Sequence, residues 1–219
     1  MEPRHVFITG GTGYMGRRLI QKLVSRGHRV RALVRPESQS KLPAGVAAVL
    51  GNALDASSFA AQVPPADTFV QLVGVPHPSP AKAAQFRAVD LPAARAGIDA
   101  ARQAGIRHFV YVSVAHPAPM MHAFIDARRE AEEYLRASGL HSTVLRPWYV
   151  LGPGHRWPYL LLPFYAVCER LEGTREGALR LGLVSLDQMT AALLQAVENP
   201  APESRVWGVP EIRAVALAG

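Results

Sequence analysis

The sequence predicts an α/β fold in which a doubly wound parallel sheet carries a small C-terminal lobe. Short apolar runs alternate with segments of helical periodicity through residues 1–150, a pattern typical of repeated β–α–β units. A glycine-rich turn separates the first apolar run from the first helical segment. Residues 151–219 lose the regular alternation but contain no low-complexity linker, so we expect a lobe that packs on the sheet within one domain.

Six strands are expected in the first part of the chain, at residues 5–9, 28–34, 46–51, 67–74, 107–114 and 140–148. Helical patterns join them at 14–27, 79–104 and 123–138. Asp55 can cap a short helix after the third strand. Ser79 followed by Pro80 suits the start of the long helix.

The lobe is expected to contain a short helix within 158–171, a strand at 178–184 and a helix that begins after Ser185. Ser185 and Gln188 have the spacing of a capping box, which supports that helix start. A last short strand is expected at 205–209.

The chain is strongly basic, with a formal net charge of +7 and an isoelectric point of about 10.1. Such a balance favours anionic partners, which include nucleic acid, a membrane surface and a phosphorylated cofactor. The basic residues are mostly arginines spread along the chain, without a block of like charges. We therefore expect no nucleic-acid binding, whereas a phosphorylated small molecule is compatible with the charge.

Cys168 is the single cysteine, so an internal disulfide and a CxxC zinc or redox pair are excluded. No metal site is expected. The N-terminal run HVFITG has a strand pattern and lacks the apolar core and cleavage site of a signal peptide. The apolar stretch PYLLLPFYAV is about half as long as a membrane span and contains Pro163. We expect a cytoplasmic protein, monomeric or homodimeric, without a transmembrane segment.

The turn ITGGTGYMG after the first strand is the most informative motif. Gly11, Gly13 and Gly16 fit the GxGxxG fingerprint of dinucleotide-binding sites, and Gly10, Gly13 and Gly16 fit a variant. One glycine permits the tight turn, another lets the backbone approach a pyrophosphate, and the third lets the helix pack close to the strand. An ordinary tight turn is the alternative, but the flanking strand and helix favour nucleotide binding by residues 1–150. The expected pyrophosphate contacts are Gly10, Gly13, Tyr14, Met15 and Gly16.

The end of the second strand bears on the choice between NAD(H) and NADP(H). About 20 residues after the glycines, an Asp or Glu usually binds the ribose 2′-hydroxyl of NAD. This chain has Val34, Arg35 and Pro36 there. A guanidinium suits a 2′-phosphate, and Arg17 can assist from the first helical turn. Glu37 leaves NAD open, but Arg35 favours NADP(H) as the cofactor.

Six motifs together resemble the short-chain dehydrogenase/reductase superfamily: TGGTGYMG, ALVRP, GNALD, FVYVSV, REAEEYLRASGL and LRPWYVLGPG. The similarity is greatest to the extended and atypical branches, the NAD-dependent epimerase/dehydratase-like and NmrA-like proteins. It covers about residues 4–155 well and the rest of the chain loosely. The resemblance implies a Rossmann-like fold, an NAD(P)(H) cofactor, and an oxidoreductase or epimerase-like activity on a small molecule. It does not identify the substrate.

The resemblance also implies roles for residues after the third and fourth strands. Asn52, with Ala53 beside it, falls where the family usually has an aspartate that contacts the adenine. A carboxamide can serve the same purpose. Leu72, Val73 and Gly74 would line the adenosine ribose.

Two further positions follow from the resemblance at the ends of the fifth and sixth strands. Ser113 takes the place of the substrate-orienting serine, and Pro147 that of a backbone contact to the nicotinamide amide. The family usually has glycine where this chain has Trp148, so the indole narrows that region or moves the ring.

The family's Tyr-x-x-x-Lys signature, which supplies the acid–base chemistry, falls on Phe124 and Arg128. Phenylalanine has no hydroxyl and arginine does not shuttle protons near neutral pH, so ordinary carbonyl reduction is in doubt. Both residues lie on one stripe of the helix, in which Arg128 is expected to be the only charge. A core Phe124 and a snorkelling Arg128 are the alternatives. A charge inside an apolar stripe needs a partner, and a dinucleotide ribose or phosphate would be one.

Other proton donors near the expected nicotinamide position are His116, His122 and Tyr149, and solvent is a further source. The candidate catalytic set is Ser113, Phe124, Arg128 and His122.

Aromatic side chains of the lobe can wall an apolar or aromatic ligand, or can form the core of the lobe. They are Trp157, Tyr159, Phe164 and Tyr165. The leading hypothesis is an NADP-dependent oxidoreductase or epimerase-like enzyme without the usual tyrosine. The alternative is a non-catalytic NAD(P)-sensing regulator or accessory protein.

Overall fold

The computed structural model describes residues 2–152 and 160–215. Nine strands occur in these ranges: β1 (His5–Thr9), β2 (Arg29–Val34), β3 (Val46–Leu50), β4 (Thr68–Gln71), β5 (His108–Val112), β6 (Ser142–Leu145), β7 (Tyr149–Leu151), β8 (Leu183–Ser185) and β9 (Ser204–Trp207). Seven of them form a parallel sheet in the order β3–β2–β1–β4–β5–β6–β9. The other two, β7 and β8, pair in parallel as a small second sheet.

Helices cover both faces of the large sheet. They are α1 (Tyr14–Ser25), α2 (Ala83–Gln85), α3 (Leu91–Gln103), α4 (His122–Ala137), α5 (Leu162–Cys168), α6 (Glu172–Arg180), α7 (Leu186–Glu198) and α8 (Val209–Val215), with a π-helical segment, Phe86–Asp90, between α2 and α3. Side chains of β1 alternate between the two faces: Phe7 packs in the core with α3 and α4, whereas Val6 and Ile8 pack in the core with α1 and α7. The expected doubly wound, Rossmann-like α/β fold is therefore confirmed.

A ladder of phenylalanines crosses the centre of the sheet. Phe7, Phe69 and Phe109 are register partners on β1, β4 and β5, and all three are fully buried. The ring centroids of neighbours lie 5.3 Å and 5.2 Å apart. Aromatic contacts at this spacing stabilise beyond the burial of area alone. They tie together the three strands whose carboxyl ends carry most of the candidate site.

The C-terminal part of the chain confirms the expected short helix as α5, the last strand as β9 and the capping box. Ser185 Oγ accepts a hydrogen bond from the Gln188 amide at 3.0 Å, and Gln188 Oε1 accepts one from the Ser185 amide at 2.8 Å. The start of the strand expected at 178–184 is wrong, because α6 includes its first three residues and the observed strand, β8, begins at Leu183. The ion pair between Arg180 and Glu176, one helical turn apart at 3.0 Å, favours the helix.

The long helix before β5 also differs from the expected one. Ser79 makes no side-chain cap hydrogen bond, and the segment begins with a 3-10 turn, Pro80–Lys82. The π-helical segment then interrupts the regular helix and ends at Asp90, whose side chain is buried. Extra turns of this kind are often found at functional sites, since they redirect the side chains they carry.

Residues beyond 151 complete the large sheet. The strand β9 pairs with β6 in parallel register, Ser142 opposite Ser204 and Leu145 opposite Trp207. The helix α7 packs against α1, and both share a hydrophobic core with the strands of the large sheet. The glycine turn and α1 therefore rest on packing that the C-terminal segment provides.

A buried histidine makes the stability of this fold sensitive to acid. Burial is the main cause that lowers the pKa of His108 from 6.5 to about 4, and the nearby Arg205 contributes. The unfolded chain takes up a proton that the folded one resists, so stability falls as the pH drops from about 6.5 towards 4. When the pH drops from about 6.5 towards 4, we expect the free energy of unfolding of His108→Gln to fall by roughly 2 to 3 kcal/mol less than that of the unchanged protein. Urea unfolding at several pH values measures it, with His122→Gln as control, because His122 is exposed and is not among the groups that shift the pKa of His108. Identical pH profiles for the three proteins would contradict the prediction.

Candidate functional site

The carboxyl ends of the parallel strands meet at one edge of the sheet, as they must in this topology. The structure brings the predicted site residues to that edge: Gly10 and Gly13 after β1, Arg35 after β2, Asn52 and Ala53 after β3, Leu72, Val73 and Gly74 after β4, Ser113 after β5 and Pro147 after β6. Phe124 and Arg128 reach it from α4.

The glycine turn is built so tightly that side chains would not fit. Gly10 has a φ of +74°, and a Cβ there would lie 2.8 Å from the carbonyl carbon of Leu72. A Cβ on Gly16, inside α1, would lie 2.3 Å from Gly10 O. The Gly13 amide donates to the same oxygen at 3.0 Å. The first turn of α1 carries no acidic side chain, so its free amides offer a positive end to a phosphate. These residues fit a dinucleotide pyrophosphate.

Tyr14 and Met15 open α1 and are both half-buried. Met15 packs against the core that α1 shares with α7. The hydroxyl of Tyr14 lies so close to Gly152 that a Cβ there would be 1.8 Å from it. Tyr14 therefore joins the glycine turn to the end of β7.

Two predicted contacts to the adenosine half lie on exposed loops. Arg35 is 72% exposed, and its Nε contacts Glu37 Oε1 at 3.2 Å. Asn52 is exposed, and its Oδ1 accepts a hydrogen bond from the Leu54 amide at 3.1 Å. Neither side chain is held by the core, so both can reorient towards a ligand.

Arg128 is buried and has a protein partner. Its Nη2 contacts Asp90 Oδ1 at 2.6 Å, with side-chain exposures of 9% and 0%. Its Nη1 donates to Val112 O at 2.8 Å and to the Tyr111 hydroxyl at 3.4 Å. Asp90 also accepts a hydrogen bond from the Val75 amide at 3.0 Å. The buried guanidinium thus has a buried carboxylate partner, Asp90, which belongs to the π-helical segment.

Gly74 belongs to the same arrangement. A Cβ at Gly74 would lie 2.3 Å from Arg128 Nη2 and 3.1 Å from Asp90 Oδ1. The ion pair therefore lies directly against the backbone after β4, the segment expected to line the adenosine ribose. Its position is compatible with a contact between Arg128 and a ribose, which stays a prediction.

Phe124 lies one turn before Arg128 on the same face of α4. Its ring packs against the ring of Phe86, with 4.9 Å between the two centroids. The guanidinium carbon of Arg128 lies 5.1 Å from the centroid of the Phe124 ring. Phe124 is half-buried against the core of α3 and α4. It can shape the site, but it has no proton to give.

A second buried charge on α4 was missed from the sequence. Glu132 lies one turn after Arg128 and is 5% exposed, so Arg128 is not the only charge on the buried face. Ser113 Oγ donates to Glu132 Oε1 at 2.5 Å, which commits the predicted substrate-orienting hydroxyl to this carboxylate. Arg146 binds both carboxylate oxygens. The spacing 124, 128, 132 was the signal that could have revealed it.

The two candidate histidines differ in their surroundings. His122, the first residue of α4, is exposed. His116 is half-buried, and its Nε2 lies 3.8 Å from Glu132 Oε1. Burial lowers the pKa of His116, as does Arg146, whereas Glu132 acts in the opposite direction. Burial therefore favours the neutral form of the imidazole.

A cleft of about 400 Å³ opens beside this cluster, between the loops after β5, β6 and β9 and the helix α6. Its lining includes His116, Arg146, Leu179, Arg180, Val209 and Glu211. Of the lobe aromatics, Phe164 is 64% exposed and Tyr165 is half-buried. Trp157 and Tyr159 lie outside the described residues.

The described residues show neither a cluster of metal-binding side chains nor a membrane-spanning helix. In residues 2–152 and 160–215, no group of three or more His, Cys, Asp or Glu side chains is arranged to hold a metal ion. Within the same ranges, no helix is long and apolar enough to span a membrane.

Comparisons with known proteins agree with the geometry of the glycine turn. The model of the NAD(P)H-binding family matches residues 10–156. The chain is 30% identical to the ceramide reductase of Caulobacter vibrioides over 151 residues, 68% of this chain and 47% of that protein. It thus spans about half the length of that relative.

Other relatives are covered more fully. The uncharacterized sugar epimerase YhfK of Bacillus subtilis is 29% identical over 220 residues, which is 94% of each chain. Among solved structures, the Bordetella bronchiseptica enzyme WbmH in complex with NAD+ superimposes with a TM-score of 0.70 at 20% identity, over 94% of this chain and 76% of that one. This likeness supports the fold.

Proposed function

Since the chain belongs to the NAD(P)H-binding family, we propose that it is a member of the short-chain dehydrogenase/reductase superfamily and an NADP(H)-dependent oxidoreductase or epimerase-like enzyme that works without the usual tyrosine. The observation that carries the proposal is the turn formed by Gly10, Gly13 and Gly16. A Cβ on Gly10 or Gly16 would lie 2.8 Å or 2.3 Å from backbone atoms, and one on Gly13 would lie 3.1 Å from Gly10 O. Glycines at these places keep the turn tight and its backbone open, as a pyrophosphate contact requires.

The bound dinucleotide would supply hydride transfer, and the chain's own residues would position it. The amides at the start of α1 would bind the pyrophosphate. Asn52, Ala53 and the segment 72–74 would bound the adenosine. Pro147, whose carbonyl accepts a hydrogen bond from the Ala115 amide at 2.9 Å, would present backbone to the nicotinamide.

The proton chemistry differs from that of the family because Phe124 cannot donate. Arg128 is held by Asp90 and two further acceptors, and a guanidinium stays charged at neutral pH. Its proposed role is electrostatic and structural at the cofactor, with proton transfer left to another group.

Binding followed by turnover tests the proposal. NADPH is titrated by the change in its fluorescence, and its oxidation is then followed with quinones, flavins and aldehydes; UDP-sugars test the epimerase alternative. Turnover of any of these supports an enzyme. Tight binding without turnover across the panel would leave only the second candidate, a non-catalytic NAD(P)-sensing or accessory protein. The specific observation that favours this second candidate is the replacement of the tyrosine by Phe124.

The preference for NADP(H) over NAD(H) rests on Arg35. We expect Arg35→Ala to weaken NADPH binding by about tenfold, the size of one lost charge-assisted contact, and to leave NADH binding unchanged. Glu37→Gln is the matched control: it frees Arg35 from its carboxylate partner and should strengthen NADPH binding or leave it unchanged. Equal losses for both dinucleotides in Arg35→Ala would show that the side chain does not read the 2′-phosphate.

The substrate is proposed to be a small molecule with an apolar part. Apolar side chains that are exposed around α5 support this: Leu160, Leu162, Phe164, Val167 and Leu171. The relative named ceramide reductase is compatible with a lipid-like substrate. A cytoplasmic location and a monomeric or homodimeric state stay part of the proposal, and light scattering of the purified protein checks the latter.

A further inference from the structure

The cluster around Glu132 lies where the predicted nicotinamide end of the site should be. The Ala115 amide bonds to Pro147 O, so His116 is the next residue after a contact between the loops of β5 and β6. Its ring lines the cleft, while its Nε2 is buried, has no hydrogen-bond partner and faces Glu132 Oε1 at 3.8 Å. Because Nε2 faces Glu132, Nδ1 is the ring nitrogen left to contact a molecule in the cleft.

Glu132 is held in place by two protein partners. The Ser113 hydroxyl and the Arg146 guanidinium bind it, and the side chain is only 5% exposed. Its carboxylate faces His116 Nε2 at 3.8 Å, so a small movement of the ring would bring Nε2–H into hydrogen-bond distance, the arrangement in which carboxylates orient catalytic histidines.

Charged groups face His116 from every neighbouring element. Glu132 and Arg129 on α4 and Arg146 after β6 act on its pKa. Glu176 and Arg180 on α6 and Glu211 on α8 line the same cleft. These last three have protein partners: Arg180 bonds to Glu176 and to Pro117 O, and Glu211 accepts from the Gly208 amide. Among these groups, histidine is the residue type whose ordinary pKa is closest to neutral pH.

We propose that Glu132 and His116 form the acid–base dyad of this protein, in which His116 exchanges a proton at Nδ1 with an alcohol or ketone substrate held in the cleft. The inference rests on the proposed function and deepens it by naming the group that replaces the tyrosine. His116 would be the catalytic residue and Glu132 its positioning residue.

The step balances without another reagent. In the oxidising direction, the substrate O–H bond breaks and its proton goes to Nδ1 of neutral His116. The bound dinucleotide would supply the oxidising chemistry by accepting hydride from the carbinol carbon, so that the C–H bond breaks with its electron pair and the C=O bond forms. The imidazolium then lies beside Glu132 and releases its proton to solvent through the cleft. The reverse sequence reduces a ketone.

The test is the pKa of His116 measured by NMR in the NADP+ and NADPH complexes of the full chain, with His116→Gln used to assign the signal. The oxidised nicotinamide carries a positive charge that the reduced one lacks. If His116 faces that ring, its pKa is lower in the NADP+ complex by about 0.5 or more. His141, at the opposite edge of the sheet, is the internal control and should not change.

Glu132→Gln supplies the second arm. Because Glu132 raises the pKa of His116, the variant should lower it and should abolish the preference of the neutral ring for the Nε2–H form in nitrogen-15 spectra. If this variant does not fold, the pKa values of His116 in the two complexes of the unchanged protein are sufficient to test the dyad. Equal pKa values in the two complexes overturn the dyad while dinucleotide binding stands. Failure to bind either dinucleotide overturns the proposed function together with the dyad.

Discussion

Asp90→Asn is expected to lower the free energy of unfolding by about 3 to 5 kcal/mol, because it leaves the Arg128 guanidinium charged and buried without a counter-charge. Asparagine has nearly the shape of aspartate and can still accept from the Val75 amide, so the loss reports mainly on the charge. Urea unfolding followed by tryptophan fluorescence measures it as a lower midpoint at an unchanged slope.

An ion pair on the surface, between the helices α3 and α4, provides a matched control for the buried pair. Glu130 on α4 contacts Arg95 on α3 at 2.7 Å, but both side chains are well exposed. Glu130→Gln should cost less than about 1 kcal/mol. Adding Arg128→Met to Asp90→Asn should restore part of the loss, since the unpaired charge is removed. A cost for Asp90→Asn no larger than that for Glu130→Gln would mean that the pair is hydrated and that its burial has been misjudged.

Gly16→Ala is expected to abolish dinucleotide binding and to destabilise the fold. The added Cβ would meet Gly10 O at 2.3 Å and the Gly11 Cα at 2.8 Å, and both are backbone atoms that cannot rotate away. Either α1 moves from β1 or the turn opens, and both displace the amides that would bind the pyrophosphate. Overpacking of this kind costs about 1 to 3 kcal/mol or more. NADPH affinity should fall by about 100-fold or more, as measured by fluorescence titration.

Gly177→Ala is the control for this substitution. Gly177 lies inside α6, and a Cβ there has no neighbour within 4 Å. Alanine at a helical position with free space should be neutral or stabilising by about 0.5 to 1 kcal/mol. NADPH affinity in Gly16→Ala equal to that of Gly177→Ala would refute the assigned cradle.

The elements that the sequence predicted well are those encoded by local patterns. The alternation of β1 and the glycines that follow it specify a strand, a tight turn and a helix within a dozen or so residues. The capping box at Ser185 is equally local. The family resemblance then places Phe124 and Arg128 four residues apart on one helix. In the structure, both side chains lie on the same face of α4.

The partners of the buried charges could not be predicted in this way. Asp90 appears in the sequence as one polar residue in a long helical pattern, and only the π-helical segment turns it inward to Arg128. Glu132 stands between other acidic residues, and its buried carboxylate pairs with Arg146, which follows β6 and is distant from α4 in the expected pattern. Pairing of this kind is set by how elements meet in three dimensions, which hydrophobic periodicity does not encode.

The position of β9 also governs how this protein must be made. Ser142 on β6 and its partner Ser204 are separated by 62 residues, and parallel pairings over such distances form slowly, because chain entropy is lost before contacts are gained. Until β9 has paired, the outer side of β6 is an open edge of the sheet, and an open edge is a template for pairing with other chains. The segment that carries β9 therefore also protects the folded sheet from such pairing at β6.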